Sequence, residues 1–184
     1  MGRIVVSEFI SLDGVIGDPA WSFDFDRGQE GDKYKLEELF ASDALLVGRV
    51  TYQTFAEAWP SRTDEEGFAD RMNGLKKYVV SSTLTDAGAS WSDTTVLRGD
   101  PIAEITALRA APDRDILVYG SGQLVKALLA GGLVDELRLM VFPVILGSGQ
   151  RMFPDEMDKI RYSLADARPG GDGVYMLTYR LRAS

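Results

Sequence analysis

Ile116-Leu117-Val118-Tyr119-Gly120-Ser121-Gly122-Gln123-Leu124 carries a four-residue apolar run into a glycine pair and then into an amphipathic stretch. A run with no polar position to turn toward water reads as a strand buried on both faces, the kind found in a parallel sheet. Leu124, Val125, Leu128 and Leu129 then recur at helical spacing, and Gly131-Gly132 stops that helix by supplying the left-handed conformation at its end. Strand, glycine turn, helix is the unit of a βαβ fold, and its turn leaves backbone N–H groups open to a diphosphate. The full dinucleotide fingerprint needs a third glycine where Val125 stands. Two readings of this turn are therefore open, a phosphate cradle and a plain tight turn.

Working outward, apolar runs predict further strands at 3–10, 44–47, 77–80, 94–97, 115–119, 135–143 and 174–181, with a short edge strand at 162–165. Helical periodicity falls at 33–40, 52–59, 66–73, 101–110 and 122–130, and Asp100-Pro101 is a good start signal for the fourth of these. Strands alternating with helices over the first two thirds predict parallel pairing. Two long strands in succession near the end predict an antiparallel closure. With 184 residues, 45% of them hydrophobic, and no linker or repeat, one domain over 1–184 is expected.

Composition removes several function classes. Absence of Cys and His removes disulfides, thiolate metal sites, the usual zinc ligands and the usual base of a Ser-His-Asp triad, so no metal site is expected. A net charge of -8 opposes binding to nucleic acid or to an anionic membrane. No apolar run reaches the roughly 18 residues of a membrane span, and the first residues read as a strand and turn, so a cytoplasmic protein is expected.

Two other strand ends share the character of the first. Gly48-Arg49-Val50-Thr51 leaves a buried strand through a glycine, a cation able to make a bidentate pair with phosphate, and a hydroxyl. Ser81-Ser82-Thr83 puts three hydroxyls where a parallel strand reaches its C-terminal edge, the edge at which ligands collect, although such residues also form ordinary turns. Nearer the start, Ser11-Leu12-Asp13-Gly14-Val15-Ile16-Gly17 precedes the aromatics Trp21, Phe23 and Phe25, which either cover a flat heterocycle or pack beneath their own loop.

In this order SLDGVIG (11–17), LLVGRVTY (45–52) with Trp59-Pro60, KYVVSSTL (77–84), VYGSGQL (118–124) and LVDELRLMVFPVILGSGQRMF (133–153) resemble the dihydrofolate-reductase-like family over nearly the whole chain. The likeness is greatest to the C-terminal reductase domain of the bifunctional riboflavin-biosynthesis deaminase/reductase and its free-standing bacterial relatives. That resemblance implies a three-layer αβα fold with a mixed, mostly parallel central sheet, NADPH as hydride donor, a small-molecule substrate and a homodimer. By the same match Gly48, Arg49 and Thr51 face the cofactor phosphates, Ser81 and Ser82 lie near the adenosine 2′-phosphate, and Gly120, Ser121, Gly122, Gln123 and Leu124 form the pyrophosphate turn. Ile16 and Gly17 lie against the nicotinamide, and Ser11, Asp13, Trp21 and Tyr52 line the substrate pocket.

Departures from the family pattern bear on substrate. Spacing back from Gly48 makes Asp32 the counterpart of the pterin-binding acid of folate reductases, but the threonine that supports that acid is Met140 here. The glutamate that precedes the glycine turn in riboflavin-pathway reductases is Tyr119. The expected reaction is hydride transfer from NADPH to a small heterocycle or an open-chain sugar imine, resembling 5-amino-6-(5-phosphoribosylamino)uracil reductase, with Asp32, Asp13 or water as proton source. Dihydrofolate reduction is the alternative enzyme, and an NADPH-binding regulator without turnover is the alternative from another class.

Overall fold

All four residues of β5 (Ile116–Tyr119) are buried. The computed structural model, which describes residues 2–110 and 115–182, shows why. This strand runs parallel between β2 (Ala44–Gly48) and β1 (Ile4–Ser11), in the middle of an eight-stranded sheet. Outward from β2 lie β3 (Lys76–Val80) and β4 (Thr94–Leu97), both parallel to it. Beyond β1 lies β6 (Glu136–Phe142), also parallel, and then β8 (Tyr175–Leu181) and the edge strand β7 (Tyr162–Pro169), with β8 antiparallel to both neighbours. The order β4-β3-β2-β5-β1-β6-β8-β7 is the mixed, mostly parallel sheet that the sequence predicts.

Helices cover the two faces of the parallel part. On one face α1 (Gly28–Phe40), α2 (Arg49–Ala58) and α3 (Phe68–Gly74) bring Leu39, Tyr52 and Met72 against Val5, Leu45, Val47, Val79 and Leu117. On the other, α4 (Pro101–Ala110) and α5 (Gly122–Ala130) bring Ile105, Leu124, Val125 and Leu128 against Val6, Leu46, Ile116 and Val118. Strand alternation sends adjacent residues of β2 and β5 into opposite clusters, which is why these two strands read as unbroken apolar runs. Asp100 accepts the Ala103 N–H at 2.8 Å and caps α4, while Gly132 at φ +64° ends α5 with the Leu133 N–H on the Leu128 carbonyl at 2.9 Å.

Three boundaries differ by three residues or more from those expected. Helix α1 begins at Gly28, not 33, because a glycine start and the inward polar residues Lys35 and Glu38 blur the apolar periodicity. Helix α2 begins at Arg49, not 52, directly after Gly48, which supplies no side-chain cap to mark the start. Strand β7 runs to Pro169, past a register shift between Leu164 and Asp166, where alternation breaks. A 3-10 segment at Pro19–Asp24, opened by its proline, was not anticipated.

Leu117 has no exposed surface and lies on the central strand. Leu117→Ala is expected to lower unfolding free energy by about 2–5 kcal/mol. Urea titration, with an unchanged slope and a lower midpoint, checks this.

Candidate functional site at the β2–β5 strand ends

Strands β2 and β5 are parallel neighbours, yet α2 departs toward one face and α5 toward the other. Their C-terminal ends therefore open a crevice of the kind that receives ligands in open α/β sheets. The two turns interlock there. The Gly48 N–H donates to Ser121 Oγ at 2.8 Å, and Ser121 Oγ donates to the Tyr119 carbonyl at 3.1 Å. Gly120 and Ser121 are both left-handed, at φ +54° and +64°, a conformation that costs a serine about 1–3 kcal/mol and persists where the surroundings over-determine it. A Cβ on Gly120 would lie 3.3 Å from the Thr51 side chain, so Thr51 packs on the turn. Arg49 is the first residue of α2, exposed, with Nη1 on Gln53 Oε1 at 3.0 Å. Gln123 is exposed, whereas Leu124 is buried in the core cluster.

Register sets Val80 level with Gly48, so Ser81 and Ser82 follow at the adjoining strand end. Ser81 Oγ accepts the Leu84 N–H at 2.9 Å and the Thr83 N–H at 3.2 Å, which is the turn-forming role. Ser82 is exposed beside it.

The facing lip is made of the loop after β1 and the loop after β6. Ile16 N–H donates to the Gln150 carbonyl at 2.9 Å, Met152 N–H donates to the Gly14 carbonyl at 2.9 Å, and Leu12 N–H donates to the Val144 carbonyl at 2.8 Å. Gln150 then reaches across. A Cβ on Gly17 would come within 2.9 Å of Gln150 Cβ, and a Cβ on Gly122 within 2.5 Å of its Nε2. Glycine at 17 and 122 is thus what lets the two lips meet, and the Gln150 amide lies against the start of α5. Nothing in the sequence assigns Gln150 a role; the signal it carries there is its position just after Gly147-Ser148-Gly149.

Several expected side chains sit elsewhere. Asp13 accepts from Ser11 Oγ at 2.7 Å, Gly147 N–H at 2.9 Å and Leu146 N–H at 3.1 Å, tying the two loops together. Those hydrogen bonds, the serine's foremost, hold its carboxyl down to about 2, so it is a carboxylate clasp and not a proton donor. Ser11 is buried, and its Oγ also accepts the Val15 N–H at 2.9 Å. Asp32 points outward from α1, ion-paired with Arg27, because the inward positions of that helix are Gly31, Tyr34, Lys35, Glu38 and Leu39. Tyr52 has no exposed surface; its hydroxyl accepts the Trp91 N–H at 2.9 Å, so it belongs to the core and not to a pocket wall. Trp21 packs edge-on to Phe142 at 5.4 Å between centroids, and its Nε1–H donates to the Gly17 carbonyl at 3.3 Å. Phe25 also packs on Phe142, while Phe23 is exposed.

Beneath the crevice lies a buried polar group that sequence reasoning missed. Lys35 Nζ donates to Glu38 and, at 2.9 Å, to Ser7 Oγ, and the Tyr119 hydroxyl donates to Glu38 Oε1 at 2.8 Å. Desolvation pushes the Tyr119 phenol up, and the Glu38 charge adds to that, so it stays a neutral donor. Desolvation also draws Lys35 down, against the pull of Glu38. Glu8, on β1, is buried, and its Oε1 finds no hydrogen-bond partner among the described residues. Burial pushes its carboxyl up to about 8; Glu38 adds to the rise, whereas Lys35 and the Gly120 N–H oppose it. Nothing in the alternating pattern of the first strand marks Glu8 except that an acid stands on a face that is otherwise Ile4, Val6 and Ile10.

Fold and crevice together define a three-layer α/β domain with interlocked turns at the point where its helices change face. The chain belongs to the RibD C-terminal domain family, whose model matches residues 3–176. Protein YyaP of Bacillus subtilis (strain 168) is 27% identical to it over 96% of this chain and 94% of its own length. A protein of Shewanella sp. PV-4 assigned to riboflavin biosynthesis superposes with a TM-score of 0.77 at 21% identity, over 98% of this chain and 99% of that one. The diaminohydroxyphosphoribosylaminopyrimidine deaminase/5-amino-6-(5-phosphoribosylamino)uracil reductase of Thermotoga maritima superposes with a TM-score of 0.71 at 15% identity, over 98% of this chain but 57% of that longer one. These structural likenesses concern the fold.

Glu8 makes stability depend on pH with a definite sign. The unfolded carboxyl loses its proton near its ordinary value of 4.5, while the folded one keeps it to about 8. Between those values the folded state binds more protons, so stability falls as pH rises and levels off above the folded value. The contribution of this group is roughly 3–5 kcal/mol across the window. Chemical denaturation of the wild type and Glu8→Gln at a series of pH values is expected to show a smaller fall in the variant.

Proposed function

We propose that the chain is an NADPH-dependent reductase that delivers hydride to a C=N or C=O carbon of a small heterocycle or open-chain sugar imine. The observation that carries this is the pair of interlocked turns, Gly48–Thr51 and Gly120–Gly122, at the β2–β5 crevice. Two helix N-termini open on that crevice, and one carries an exposed guanidinium at its first position. This donor set fits an anionic dinucleotide: backbone N–H groups and helix dipoles favour phosphate, and Arg49 can form a bidentate pair with it. Gly122 leaves room that a side chain would fill, held meanwhile by the movable end of Gln150.

When bound, the nicotinamide supplies the hydride chemistry. This chain's part is to position and enclose. Arg49 and Thr51 would hold phosphate from α2, and because Val80 is level with Gly48, Arg49 and Ser82 follow at adjoining strand ends, where the 2′-phosphate that distinguishes NADPH from NADH would lie. Gly120, Ser121 and Gly122 bring backbone close from β5. Ile16 and Gly17, fixed by Gln150 and by the Asp13 clasp, would supply the edge against the nicotinamide end. Membership in the RibD C-terminal domain family supports a riboflavin-type pyrimidine substrate. Folate reduction fits less well, because Asp32 faces outward to Arg27 and the position of its supporting threonine holds buried Met140. No helix of the described residues is long and apolar enough to cross a membrane, and a cytoplasmic location accompanies the reading.

A homodimer also belongs to this reading. A groove of about 480 Å³ beside the β1 and β6 ends is lined by Ile10, Leu12, Leu139, Val141 and Phe153 among others. Leu12 and Phe153 of this lining are exposed, and a second copy of the chain is the partner we propose for this apolar ground.

NADPH is expected to bind more tightly than NADH, and Arg49→Ala to reduce that preference by roughly 10- to 100-fold, the worth of one charge-assisted pair. Fluorescence titration with both cofactors checks it, and equal wild-type affinities for the two would count against the proposal. Light scattering at micromolar concentration is expected to give twice the chain mass, with Phe153→Asp shifting it toward the monomer.

A further inference from the structure

We infer that Glu8 is a proton-operated gate on the anion site: its neutral acid form admits an anionic cofactor at the Gly120–Gly122 turn, its carboxylate form repels it, and binding therefore takes up a proton. This rests on the reading that the turn receives the cofactor, and it adds a regulation of that site.

The placement comes from register. Ser7 pairs with Tyr119 across β1 and β5, so residue 8 stands level with Gly120, the first residue of the turn. Alternation sends Glu8 to the face of Val6 and Ile10, which is the face covered by α5 and by Ile16 and Met152 of the two loops. The Gly120 N–H is directed at its carboxylate, and α5 begins two residues further on. Glu8 is only 5% exposed, and Oε1 has no partner among the described residues. A buried oxygen left unmatched beside a glycine turn is a group whose hydrogen-bond capacity is free for a ligand.

The charges around it decide the sign. From α1, Lys35 attracts and Glu38 repels, and these two are already bonded to each other. From β5, Tyr119 is a neutral phenol and the Gly120 N–H is a dipole. On this face β6 contributes apolar Leu139, and the first turn of α5 and the facing loop contribute uncharged Gln123 and Gln150. Arg151 is engaged with Asp13. Lys35 and Glu38 sum to zero, so ionising Glu8 leaves one uncompensated negative charge in a dry site next to the anion. Protonating it removes that charge and supplies an O–H donor. The folded carboxyl changes state at about 8, which places the gate just above neutral pH.

Isothermal titration calorimetry of the whole chain with NADP⁺, the unreactive oxidised form, tests this. Titrations run from about pH 7.5 to about pH 9.5, where the 2′-phosphate, with its second ionisation near pH 6, is almost wholly ionised, in two buffers of different ionisation enthalpy. Wild-type affinity is expected to fall by up to about tenfold per pH unit on the alkaline side, with proton uptake approaching one per cofactor, while Glu8→Gln binds with a flatter profile and no matching uptake. Uptake in the wild type is read without any variant, so the test does not depend on the variant folding. Binding with no proton uptake, or equal pH profiles in wild type and Glu8→Gln, overturns the gate and leaves the reductase reading intact. No binding at any pH removes the cofactor reading and the gate with it.

Discussion

One short hydrogen bond, from the Gly48 N–H to Ser121 Oγ, joins two chain segments that leave the sheet in opposite directions. A parallel pair of strands followed by helices on different faces tends to splay at its ends, and the backbone groups exposed there need partners. Ser121 supplies one of them at the cost of a left-handed backbone, and the bond from its hydroxyl to the Tyr119 carbonyl holds the side chain in the orientation that accepts Gly48. The strained residue, the glycine before it and Thr51 against that glycine form one unit. Loosening any part would let the two turns move apart and would remove the one place where both helix starts face the same volume.

The other lip is built on a different principle, charge held by backbone. Asp13 collects two N–H groups from the far loop and a hydroxyl from its own, a set that only an ionised carboxylate satisfies fully. Its low proton affinity is the electrostatic face of that geometry. Gln150 then carries the connection on to α5 through contacts that require glycine at 17 and 122. Three segments far apart in the chain are thus fixed relative to one another by one carboxylate and one amide.

Parallel pairing over the first two thirds, the antiparallel closure and the glycine turn were legible because each follows from a local pattern: unbroken apolar runs alternating with helices, two successive strands, a glycine pair before a periodic helix. The order of the strands in the sheet was not, because it is set by pairings between distant segments. The Asp100 cap and the Gly131-Gly132 stop were legible for the same reason. The fates of Tyr52, Asp32 and Asp13 were not. Tyr52 was read from its place in a motif, but with α2 starting at Arg49 it turns into the core, where its hydroxyl meets Trp91. Asp32 was counted back from Gly48, and a one-position difference on a helix is a rotation of about 100°, enough to exchange an outward acid for an inward Gly31. Asp13 was a plausible acid by type, and only the loop partners more than 130 positions away show that it is locked in its charged form.

Glu8 and the Lys35–Glu38 pair show why an acid in a strand is the most easily overlooked kind of candidate. A single charged residue in an apolar run lowers the strand signal slightly and is absorbed as noise, yet once the strand is central and covered on both faces that residue cannot reach water. The sheet then fixes its neighbours by register, so its charge state is determined by groups that the sequence separates by 27 residues or more: Lys35 and Glu38 on α1, and Gly120 on β5. Burying an ionisable group without a full set of partners is destabilising at every pH where it must charge. The fold keeps one at the foot of its glycine turn, in the position where its proton bears most directly on whether an anion can sit above it.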